Sequence, residues 1–105
     1  MAETIPPLSA ADVATDLNNS TFAVYLYIGN ETDVGWDNAK VAFRLVPRLR
    51  IYLVKDSTQV AQWTGNNQPA GVVFGWNDKV FRLLDRAEAD DLRIVLKAIS
   101  DAMDQ

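Results

Sequence analysis

The sequence contains neither cysteine nor histidine, and those two absences exclude more chemistry than any motif supplies. Without a thiol there is no thiolate nucleophile, no disulfide and no thiol–disulfide exchange. Without an imidazole there is no Ser–His pair, and a zinc site of the usual Cys/His kind is ruled out. A general base active near neutral pH must then be a carboxylate or lysine moved from its ordinary range. Long hydrophobic runs are missing too. No stretch approaches the ~18 apolar residues of a membrane span, and the opening MAETIPPLSA lacks the basic-then-apolar layout of a secretory leader. The expectation is a cytoplasmic protein, free or incorporated in a larger assembly such as a virion, with no membrane partner.

Positive charge is in short supply: Lys and Arg total 10 against 14 Asp and Glu, for a net charge of −4. Phosphate backbones are bound through clustered Lys and Arg, so nucleic acid is not expected as a partner. Arg44, Arg48, Arg50 and Lys55 do gather in one stretch, but solvated surface charge is the simpler reading.

What is present is ordinary globular material: 105 residues, 49% hydrophobic and 23% charged. That length fits one domain spanning 1–105, with 1–7 as an extended segment before it. Ser9 is placed to cap a short helix over 10–17. The run FAVYLYI at 22–28 is apolar, aromatic and β-branched without alternation, as a strand buried on both faces requires. A polar loop follows Gly29, and Asp37 can cap a helix over 38–46 with Val41, Ala42 and Leu45 on one side. Pro47 ends that helix, because its ring disfavours a helical residue before it.

Residues 49–54 alternate, Leu49, Ile51 and Leu53 against Arg50, Tyr52 and Val54, which suits a strand at a sheet edge with one wetter face. Ser57 opens a short helical turn reaching Trp63. Short strands over 72–74 and 80–84 flank Asn77-Asp78, a turn that makes them antiparallel neighbours. Asp85 and Glu88 form a capping-box pair for a last helix, with Leu92, Val95, Leu96, Ile99 and Met103 on one face.

This order resembles the thioredoxin-like family, carrying one extra helix in front. Gln68-Pro69-Ala70-Gly71-Val72-Val73-Phe74 is similar to the family's cis-proline strand. The 56–63 segment, with Ala61 and Trp63, looks like the short helix ahead of it, and 22–28 resembles the central strand that leads into the active-site loop. The resemblance covers about 8–103. It implies an α/β fold: a three-layer α/β/α sandwich around a mixed four-stranded sheet, closed by a β-hairpin and helix. It also implies a cis bond before Pro69. The family's Cys-x-x-Cys position falls within 30–36, where this chain has two carboxylates and no thiol. By resemblance this is a redox-inactive member, and such domains serve as binding or assembly modules.

The candidate partner-binding residues are therefore Glu31, Asp33 and Trp36 in the loop, with Gln68 and Pro69 at the proline turn. Each has a plainer reading: capping and solubility for the acids, core packing for Trp36, and a simple turn for Pro69. Trp63 and Trp76 are read as structural. A second candidate surface is the edge strand, through Arg50 and Tyr52, where a copy of the chain or another protein adds a strand; that edge is open only if the 3–5 segment supplies no strand. The acidic loop lacks the spacing of a calcium loop, so neither metal nor cofactor is expected. The leading expectation is a non-catalytic module that binds a protein. A structural or assembly component is the alternative, and a carboxylate-based enzyme comes third.

Overall fold

The computed structural model describes residues 23–54, 69–75 and 80–104. The expected first helix, the 3–5 segment, the 57–63 turn, the Asn77-Asp78 turn and residues Lys55, Trp63, Gln68 and Trp76 lie outside them. So does the Gln68–Pro69 peptide bond.

The chain runs β1 (Ala23–Ile28), α1 (Val34–Leu45), β2 (Leu49–Val54), β3 (Gly71–Phe74), β4 (Val80–Leu84), α2 (Arg86–Ala89) and α3 (Leu92–Met103). The fold is mixed α/β, with a four-stranded sheet in the order β2-β1-β3-β4. β1 and β2 are parallel, whereas β3 is antiparallel to both β1 and β4. None of the described helices is long and apolar enough to cross a membrane.

The unbroken apolar run of β1 explains its central place. Tyr25 and Tyr27 project to one side, with Ala23, and join a core of α1 and α3 side chains that includes Ala39, Ala42, Val95, Ala98 and Ile99. Val24 and Leu26 project to the other side and join Tyr52, Val54, Val72 and Phe74 in a second buried cluster that contains no described helix residue. Both faces of the sheet are thus dry, which is why β1 does not alternate.

Three expectations need correction. α1 begins a turn early, at Val34 with Asp33 in the N-cap position, so Asp37 falls in its first turn. Its buried stripe runs through Gly35, Trp36, Ala39 and Ala42, and Val46 continues the stripe against the core. Leu45 falls off that stripe and is 63% exposed. In β2 the wetter face shrinks to Arg50, because Tyr52 and Val54 are buried in the second cluster. The last helix is in fact two. Asp85 and Glu88 form the expected capping box, but on the single turn of α2, and Asp91 then caps α3 by accepting from the Arg93 amide. Glu88 thus serves in a cap as expected, and Asp91 is a second cap. Pro47 acts as expected: Val46, directly before it, is extended with φ −113° and ψ 112°.

Candidate functional site

The parallel β1–β2 pair ends at Ile28 and Val54, and the antiparallel β3 begins at the same end. There the Gly29 amide donates to Val54 O (3.0 Å) and the Ile28 amide to Ala70 O (2.8 Å). The second bond seats Ala70 against the tip of β1, and Pro69, one residue before it, is half-buried.

That loop is closed on itself by Asp33. One carboxylate oxygen, Oδ2, accepts the Tyr27 hydroxyl at 2.8 Å and the Asn30 amide at 3.0 Å. The Asp33 amide donates to Asn30 O at 3.1 Å. Having turned back into the loop, the carboxylate makes no capping bond to the α1 amides; only its main-chain carbonyl accepts from Trp36 and Asp37.

Arg86 completes the cluster from the far side of the sequence. The capping box holds it in the first position of α2: the Glu88 amide donates to Asp85 Oδ1 (2.8 Å) and the Asp85 amide to Glu88 Oε1 (3.1 Å). Glu88 is itself held by Arg82. From that fixed start the Arg86 guanidinium lies 5.5 Å from the centre of the Tyr27 ring. It donates to the Tyr27 hydroxyl and to Ile28 O, and stands 3.6 Å from Asp33 Oδ2. The ion pair is half-exposed, so by itself it contributes little. Its value is geometric, since it ties loop, strand and helix together.

Tyr27 is fully buried although its hydroxyl reaches the loop. Gly35 makes room for it: a Cβ there would stand 2.2 Å from the ring. The environment polarises the pair in opposite senses. The Asn30 amide, then the Tyr27 hydroxyl and Arg86, hold the Asp33 carboxyl below its usual 3.8. Burial first, and the bond to Asp33 second, push the Tyr27 phenol up to about 12. Asp33 is thus held ionised and Tyr27 protonated, and neither titrates near neutrality. One strand position earlier, burial raises Tyr25 as well, and its hydroxyl has no hydrogen-bond partner among the described residues.

The expected site residues divide sharply. Asp33 closes the loop that follows β1, Pro69 precedes the Ala70 carbonyl that accepts from Ile28 at the end of that strand, and Glu31 is exposed on the loop. Trp36 is 5% exposed and its ring lies 6.5 Å from that of Tyr27, which is the plainer core-packing reading, because the early start of α1 turns it inward. Tyr52 is 8% exposed and packed in the second cluster, while Arg50 is exposed on β2. Gln68 lies outside the described residues. Sequence reasoning missed Tyr27 and Arg86. The available signal was a tyrosine near the end of the central strand, with Gly29 and Gly35 spaced to leave room for a ring.

Beside the cluster is an open depression of about 280 Å³ lined by Asp33, Val34, Arg86 and Asp90. Val34 is 58% exposed at its rim. No protein-family model, curated protein or solved structure matches the chain.

Proposed function

We propose that the domain is a thioredoxin-like, non-catalytic protein-binding module working through the end of the sheet that carries the 29–33 loop and Pro69. The observation that carries this is the Tyr27–Asp33–Arg86 cluster. It stands where the resemblance would put a reactive pair of thiols, and it fixes the loop with groups that do not exchange protons near neutral pH. The strand order β2-β1-β3-β4, with a helix following β1, supports the thioredoxin-like reading. A loop held this firmly binds at a low ordering cost. Exposed Glu31 and Val34 with half-buried Pro69 offer a partner mixed polar and apolar contact.

The test is affinity capture from the native source, comparing wild type with an E31K/P69A variant whose folding is verified by circular dichroism. Loss of the captured protein with the variant is the expected result. Equal capture by both overturns this choice of surface.

A second reading, a component that assembles copies of itself, is favoured by a separate observation: Arg48 at one end of the β1–β2 pair and Glu31 and Asp90 at the other are exposed and make no ion pair among the described residues.

A further inference from the structure

One end of the parallel pair is marked by Arg48, in the turn between α1 and β2. Its carbonyl accepts from Ala23 at the start of β1 (3.0 Å). Its φ is 60°, a left-handed conformation that glycine adopts freely and that L side chains adopt only under strain. A long cationic side chain is nonetheless kept there. It is exposed and makes no ion pair among the described residues. Leu45 and Phe43, 63% and 36% exposed, lie close to it in sequence at the end of α1.

The other end, about 20 Å away along six strand residues, carries the depression lined by Asp33, Val34, Arg86 and Asp90. Arg86 is committed to Asp33 and Tyr27. Asp90 is exposed and its carboxylate makes no ion pair among the described residues, and neither does that of exposed Glu31 nearby. The depression is therefore net acidic with an apolar rim at Val34. At about 280 Å³ it is below the usual size of a cofactor pocket and suited to one long side chain.

We propose that its occupant is Arg48 of a second copy of this chain, seated against Asp90 with Leu45 of that copy against Val34. The inference rests on the reading of this end as a protein-binding surface and names the partner. An acidic depression repels phosphate and anionic headgroups, which disfavours nucleic acid and lipid. The two patches stand at opposite ends of the β1–β2 pair, so the contact proposed is head-to-tail. The pair so formed keeps one open cation on one copy and one open depression on the other, and association continues into a ring or a filament.

Sedimentation velocity over a range of concentrations tests this with wild type, R48E, D90R, R48G and an equimolar mixture of R48E with D90R. Wild type is expected to associate as concentration rises, and to dissociate in about 1 M salt, where screening is short-ranged. R48E and D90R alone should each associate at least about tenfold more weakly. Their mixture should recover assembly, because each remaining contact then joins opposite charges. R48G relieves the backbone strain, so it should gain thermal stability while losing association, which separates binding from folding. A wild type that stays monomeric, or an R48E that associates like wild type, overturns the proposal. If a different protein is then captured in a Glu31- and Pro69-dependent way, the binding-surface reading stands without it. If nothing is captured either, both fall.

Discussion

Tyr27 shows how much a single side chain can organise when its ring is buried and its hydroxyl is not satisfied in the core. The ring fills the space that Gly35 leaves open, and the hydroxyl gathers Asp33 and Arg86. Gly35→Ala therefore places a methyl inside the ring envelope. Overpacking of this kind costs about 1–3 kcal/mol, to be read as a lower urea midpoint with an unchanged slope. The carboxylate partner predicts a pH effect with a definite sign. The Asp33 pKa is lowered on folding, so its contribution to stability is complete above the unfolded carboxylate range. It is lost as pH falls below about 4 toward the depressed folded value. In Asp33→Asn that part of the acid limb should be flatter, measured by urea unfolding at a series of pH values. Tyr27 acts at the other extreme: its pKa is raised to about 12, so its contribution is complete below about 10 and is lost as pH rises through 12.

Among the elements, α2 is only one turn long, and its capping box determines where Arg86 points. Asp85→Ala should cost about 1 kcal/mol of global stability and also release Arg86 from Tyr27, visible as a shift in the Arg86 side-chain resonances. The two-sided burial of β1, the hairpin neighbours β3 and β4, the Pro47 stop and the Asp85–Glu88 box were all legible in the sequence, because each is written in neighbouring residues. The start of α1 was not. Asp33 and Asp37 are both of a residue type that suits an N-cap, and Asp33 holds the position although its carboxylate turns back to Tyr27 instead of capping. The split of the last helix was hidden for a related reason. Asp91 shows itself as a cap only once the Arg93 amide is seen donating to it. At the site, Asp33 and Pro69 could be named from resemblance, whereas Arg86 required the fold that brings it 58 positions back to Ile28.

At the scale of the whole molecule, the sheet separates two apolar clusters that share no member. Leu26 and Ile99, one from each, are both fully buried. Replacing either with Ala should cost about 2–5 kcal/mol, and a single cooperative transition in both variants would show that the clusters melt together. Leu45→Ala, at 63% exposure, should stay within about 0.5 kcal/mol of wild type. The flanking of β1 by β2 and β3, with apolar cover on both faces, has a consequence for the site it carries. Its amides belong to the last region to open, so their hydrogen exchange should track global unfolding. The 29–33 loop springs directly from that strand and is tied back to it at Tyr27. If that loop is the binding surface proposed, a partner meets a loop anchored to the core strand, and the recognition speed should be set by encounter rather than by waiting for the loop to rearrange.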